Sequence, residues 1–144
     1  MPVISETHVA VRFYGDDLDP DELNRRLGAL AESAARKGDV TRSEKTGRER
    51  TAKTGRWIFR VERREPGDLD GQIRELFGSL TSDLSVWREL AAKYDPDLFV
   101  GLFMKETNEG IEVSVDCLAM LTERGITLSL DVYGPLETPE VSEE

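Results

Sequence analysis

Three well-separated segments of this chain alternate apolar and polar residues with a period of two. In "ITLSLDVYG" (126–134), Ile126, Leu128, Leu130 and Val132 fall on one side of an extended backbone. Thr127, Ser129, Asp131 and Tyr133 fall on the other. "THVAVRFYG" (7–15) sets Val9, Val11 and Phe13 against His8, Ala10, Arg12 and Tyr14, and "RWIFRVER" (56–63) sets Trp57, Phe59 and Val61 against Ile58, Arg60 and Glu62. Alternation of this kind marks strands with one buried side. Such a chain must build a sheet whose oily face is covered and whose other face meets water. "LFVGLFMKE" (98–106) is apolar on both faces, as a central strand would be.

The cover has to come from segments of helical period. "GDDLDPDEL" (15–23) packs five acidic side chains into nine residues and raises the question of a metal loop. An EF-hand loop starting at Asp17 finds oxygen ligands at Asp17, Asp19 and Asp21. It then meets Glu22 where the turn needs glycine, and Gly28 where the bidentate glutamate belongs. A helix start fits every position: Asp19 as N-cap, Pro20 first, Glu22 at the capping-box position. Leu23, Leu27, Leu30 and Ala31 continue at helical spacing. A second amphipathic helix is expected through Leu69, Ile73, Leu76, Phe77 and Leu80, continuing or kinking into Leu84, Trp87, Leu90, Ala91 and Tyr94. "IEVSVDCLAMLTERG" (111–125) reads as a brief strand and then a short helix, with Ser114 as N-cap and Gly125 as stop.

The predicted order β-α-β-α-β-β-α-β suits an α+β two-layer sandwich, a mainly antiparallel sheet with helices packed on one face. Strands ending "RFYG" and "DVYG" suggest a pseudo-repeat of strand–helix–strand units. Residues 1–134 are expected to form one domain, with 37–56 as a basic exposed loop or ragged hairpin and 135–144 as an acidic flexible tail. The stretch from Arg36 to Arg56 carries eight basic residues against three acidic ones.

The 144 residues are 38% hydrophobic and 33% charged, enough for a folded domain that removes roughly 70% of its unfolded surface from water. A net charge of −10 argues against a nucleic-acid partner, because phosphate backbones reward clustered Lys and Arg. No apolar run reaches the roughly 20 residues of a membrane span, so no membrane association is expected. No signal peptide is expected at "MPVISETHVAV", and the single Cys117 suits a reducing cytoplasm.

Catalytic motifs are sparse. "GRERTAKT" (47–54) approaches a P-loop but has Ala52 where the second glycine belongs, and a strand rather than a helix follows. His8, the only histidine, reads as a solvent-facing strand residue and Cys117 as a buried thiol; no zinc spacing and no nucleophile elbow is present. No catalytic residue, metal or cofactor is therefore expected. Paired carboxylates stay open as a catalytic device, since their separation is invisible in a sequence.

Read together, "VRFYGDDLDPDEL", the "KGD" at 37–39, "TGRWIFRVE" at 54–62 and "GIEVSVDCLAMLTERGITLSLDVYG" at 110–134 resemble a bacterial family known only as domain of unknown function 4279. The resemblance implies a small α+β bacterial domain and transfers no activity and no site residue.

What is left is the polar sheet face. If helices cover the side of Val11, Phe59 and Leu130, the other side presents Arg12, Tyr14, Arg60, Asp131 and Tyr133 as a binding surface. Aromatic and arginine side chains bring large contact areas and directed polar bonds. The expected function is a non-enzymatic cytoplasmic module that binds a protein partner through this face or the basic loop, whether immunity-like or self-associating as a homo-oligomer. The alternative is a small enzyme or ligand-binding domain with a cleft at the strand ends near Tyr14 and Tyr133.

Overall fold

In the structure, a computed structural model that describes residues 3–136, the alternating segments become neighbours in one twisted sheet. The strands are β1 (Glu6–Gly15), β2 (Ser33–Ala35), β5 (Gly55–Arg60), β6 (Asp97–Phe103) and β7 (Thr127–Tyr133), in the order β2-β5-β1-β6-β7. Strand β1 runs antiparallel to both β5 and β6, β2 antiparallel to β5, and β7 parallel to β6. The sheet is thus mainly antiparallel, and with the helices it makes the expected α+β architecture.

Four helices lie between the strands: α1 (Pro20–Leu27), α2 (Leu69–Gly78), α3 (Leu84–Tyr94) and α4 (Val115–Arg124). Each begins at a side-chain cap. Asp19, Asp68, Asp83 and Ser114 accept hydrogen bonds from the amides of Asp21, Gly71, Ser85 and Cys117, which satisfies one orphan N–H per helix. The acidic opening cluster is therefore a helix start, and it has a second use. Arg36 pairs with Asp19 and Asp21 at 2.8 and 2.9 Å, and Lys37 with Asp16 at 3.2 Å, pinning the root of the basic segment.

Aromatic packing joins the layers. Phe13 of β1 meets Trp57 of β5 edge-on at 5.8 Å and Trp87 of α3 at 6.1 Å, and Phe77 of α2 meets Trp87 at 5.6 Å. Both tryptophans are fully buried, each worth roughly 1.5–3 kcal/mol of burial. Their indole N–H groups are satisfied by the Asn24 side chain (2.8 Å) and the Thr81 carbonyl (2.7 Å).

Several expectations need correction. Helix α1 stops at Leu27, not Ala31, because Gly28 turns left-handed at φ +80° and caps it; Leu30 is left 77% exposed. No strand forms at 111–114; an isolated bridge joins Val3 to Gly110 just before it. The basic segment, expected as an exposed loop or ragged hairpin, contains a hairpin of β3 (Val40–Arg42) and β4 (Glu49–Thr51) whose six strand residues are all exposed. Leu130 and Val132 do not face in: β7 is an edge strand beyond the helical cover, and they are 53% and 57% exposed. The suggested pseudo-repeat is not confirmed: β6–α4–β7 is a parallel crossover, and β2, the strand after α1, pairs with β5. Most of the expected acidic tail, residues 137–144, lies outside the described residues.

Candidate functional site

The helices cover the side of Val9, Val11, Phe13, Trp57, Leu98 and Val100, all fully or nearly fully buried. The opposite side belongs to the residues of other parity. Strand register fixes its rows. Arg60, Ala10, Phe99 and Ser129 lie abreast, as do Ile58, Arg12, Asp97 and Thr127 in the next row. All five residues expected at a binding surface, Arg12, Tyr14, Arg60, Asp131 and Tyr133, sit on this face.

They do not form one cluster. Glu6, Phe103 and Tyr133 share a register row, and Glu6 is eight residues from Tyr14 along β1. At ~3.3 Å per residue, Tyr14 and Tyr133 are about 26 Å apart along the strands. A single cleft lined by both is therefore ruled out. Two separate groups exist instead.

The first is centred on Arg12. Its Nε and Nη2 donate to the two Asp97 carboxylate oxygens at 2.8 and 2.6 Å, and its guanidinium lies 4.3 Å from the Phe99 ring centre and 5.7 Å from that of Tyr14. Chelation by a carboxylate combined with stacking holds a planar cation in one orientation. The Asp97 hydrogen bonds also raise the Arg12 pKa further, so the charge is fixed. Beside it a concavity of about 330 Å³ is lined by His8, Ala10, Arg12, Ile58, Arg60 and Phe99, among others. Its floor is low because Ala10 carries only a methyl group. Arg60 stands exposed at the rim, with no ion-pair partner among the described residues.

The second group is an aromatic row at the far end. His8 packs on Phe103 with ring centres 4.7 Å apart, and Phe103 stacks on Tyr133 at 4.6 Å with planes 7° apart. The Tyr133 hydroxyl donates to Asp131, whose acceptance and charge push the phenol pKa up and keep it protonated. His8 Nε2 contacts the Glu6 carboxylate, which also takes Arg63 at 3.1 Å. A concavity of about 790 Å³ opens beside this row, lined by Ser5, Phe103, Lys105, Val132, Tyr133 and Leu136 among others.

Sequence reasoning missed Asp97, Phe99 and Phe103 as members of the face. The signal was present in "DLFVGLF", where parity alone separates Leu98, Val100 and Leu102 from Phe99 and Phe103. Cys117 is buried against the Asp70 carbonyl, and burial pushes its thiol pKa up, the opposite of an activated nucleophile. Among the described residues no three His, Cys, Asp or Glu side chains converge to hold a metal ion, and no helix is long and apolar enough to cross a membrane.

No curated protein and no solved structure matches the chain. A family model described as domain of unknown function (DUF4279) matches residues 5–135, nearly the whole length. The chain, with its capped helices over one face of a five-stranded sheet, belongs to the DUF4279 family.

Proposed function

We propose that this chain is a non-enzymatic, cytoplasmic protein-binding module whose contact surface is the uncovered sheet face around Arg12. One observation carries the reading: Arg12 is locked by Asp97 and Phe99 in the middle of an open face, next to a shallow trough and an unpaired Arg60. Arginine and aromatic side chains held rigid before contact lose little freedom on binding, which is what strong contact residues require. A hydrated face serving stability alone has no need of a low floor at Ala10. Arg12 and Asp97 are tied to each other, and an arginine held by a carboxylate suits a recognition surface better than proton transfer. The buried, unpaired Cys117 supports the cytoplasmic part of the reading.

The test is capture of partners from the native cytoplasm by wild type and by an Arg60→Glu/Tyr14→Ser double variant. Arg25→Glu on the exposed flank of α1 serves as the charge-matched control. Both altered face residues are exposed, so the fold is retained. The reading expects a specific partner with wild type and control but not with the double variant. Equal capture by all three sinks it.

A further inference from the structure

The two edges of the sheet are built differently. The β2 edge is three residues long. The β7 edge is seven residues long, pairs with β6 without a bulge, and contains no proline and no lysine. Short length, bulges, proline and lysine are usual devices that stop an edge strand from recruiting another, and β7 uses none of these four; its one charged side chain is Asp131. Its sheet-edge side chains Leu130 and Val132 are more than half exposed, and α4, which packs against β7, leaves Val115 and Leu118 exposed as well.

The backbone of β7 shows which groups have no partner among the described residues. Thr127 N–H donates to the Pro96 carbonyl, and the Tyr133 carbonyl accepts from Met104 N–H, so residues 127, 129, 131 and 133 point their amides and carbonyls at β6. Those of Leu128, Leu130 and Val132 therefore point outward from the sheet.

We infer that β7 pairs antiparallel with β7 of a second copy of this chain about a two-fold axis at Leu130, joining two five-stranded sheets into one of ten strands. The inference rests on the β7 edge alone and stands whether or not the open face binds a partner. Pairing about Leu130 sets Leu130 against Leu130 and Leu128 against Val132. Each outward amide and carbonyl then meets its counterpart in a hydrogen-bonded pair. On the helix side every cross-strand pair is apolar. On the open side Asp131 meets Ser129 and Tyr133 meets Thr127, so no like charges oppose.

Neighbouring registers fail. An axis at Asp131 would place two aspartates face to face. An axis at Ser129 would ask Ile126 to pair with Val132, although the Ile126 N–H is already given to the Leu121 carbonyl. One register is thus self-complementary, as a two-fold interface requires. The residues after Leu136, which lie outside the described residues, are the competing occupant, separated from a second copy by the measurements that follow.

Light scattering and sedimentation of the full chain over a concentration series test this. A dimer, twice the 16.2 kDa chain, is expected. Leu130→Lys puts two cations on the axis and should leave a folded monomer with unchanged circular dichroism, since Leu130 is exposed in the single chain, and with a Tm that no longer rises with protein concentration as the dimer's does. Ser129→Lys places a cation opposite the other copy's Asp131 and should tighten the dimer in a salt-dependent way. If Leu130→Lys does not fold, Ser129→Lys alone decides the register, because an axis at 129 would make it weaken association. A wild type that stays monomeric overturns the inference; protected amides at 128, 130 and 132 in that monomer would assign the edge to the chain's own C-terminal residues. A dimer indifferent to Leu130→Lys overturns it equally.

Discussion

Arg12 and Asp97 are register partners across the β1–β6 pair, and the guanidinium spans that pair to hold both carboxylate oxygens at 2.8 and 2.6 Å. The bridge therefore also fastens two neighbouring strands of opposite direction. Both side chains are roughly three-quarters covered, so solvent screens the pair less than a surface ion pair.

Arg12→Lys should keep the charge but lose the fork and the stacking on Phe99. The expected cost is about 1 kcal/mol in urea unfolding, at the upper end for pairs that keep some contact with water. Phe99→Leu should cost a similar amount by removing only the stack. A null effect of both would mean that Arg12 is not held by these contacts.

Thr7 and Gln72 are both fully buried and joined to each other. Gln72 Nε2 also donates to the carbonyls of Thr7 (2.9 Å) and Glu62 (3.0 Å), and Thr7 Oγ1 accepts the Asp68 amide at 3.0 Å. This small network ties α2 to the end of β1. Gln72→Leu fills similar space but strands the Glu62 carbonyl and the Thr7 hydroxyl, so a loss of about 2–3 kcal/mol is expected. Thr7→Val should cost a comparable amount, and the double variant less than the two together, because each single change already breaks the same network. Guanidinium unfolding of the four proteins measures it.

Gly55 faces Gly15 across β1 and β5. A Cβ built on Gly55 would stand 2.6 Å from the Gly15 carbonyl oxygen and 2.9 Å from Leu18 Cβ, closer than atoms tolerate. Gly55→Ala should therefore cost about 2 kcal/mol or more. Gly78, at the end of α2, has open space around it, and Gly78→Ala should be neutral or gain about 0.5 kcal/mol from reduced backbone freedom in the unfolded chain. Thermal unfolding should place Gly55→Ala well below wild type and Gly78→Ala at or slightly above it.

How legible all this was depends on the range of the interaction. Asp19–Pro20 and Ser114 announced helix starts because a cap is decided within four residues. Val9, Val11 and Phe13 announced the buried face because parity is local to one strand. The same parity placed Arg12, Tyr14 and Arg60 together on the open face. Leu130 and Val132 looked buried by parity and are not, because burial also depends on which strand ends the sheet, and that is settled by pairings far away in the chain. The clasp of Arg12 by Asp97 follows from register between segments 85 residues apart, which no local pattern encodes. Strands β2, β3 and β4, at three residues each, are too short for any period to show.

Glu109 closes the turn after β6 by gathering donors. Its carboxylate accepts the Ser5 hydroxyl at 2.6 Å and amide at 3.0 Å, and the Lys105 and Glu106 amides at 3.3 and 3.4 Å. These bonds, the Ser5 hydroxyl foremost, favour the ionised form and hold the Glu109 pKa below its ordinary value. The folded pKa is the lower one, so the stabilisation is fully present above the unfolded glutamate pKa of about 4.3 and is lost as pH falls through the folded value. Glu65, lowered by Lys105, adds to the same limb. Glu109→Gln removes one titrating group while keeping a side-chain oxygen to accept. Its denaturation midpoint should lie below that of wild type at pH 7, and the gap should narrow as both proteins are titrated into the acid range. Parallel curves from neutral to acid pH would show that the Ser5–Glu109 clasp does not couple folding to protonation.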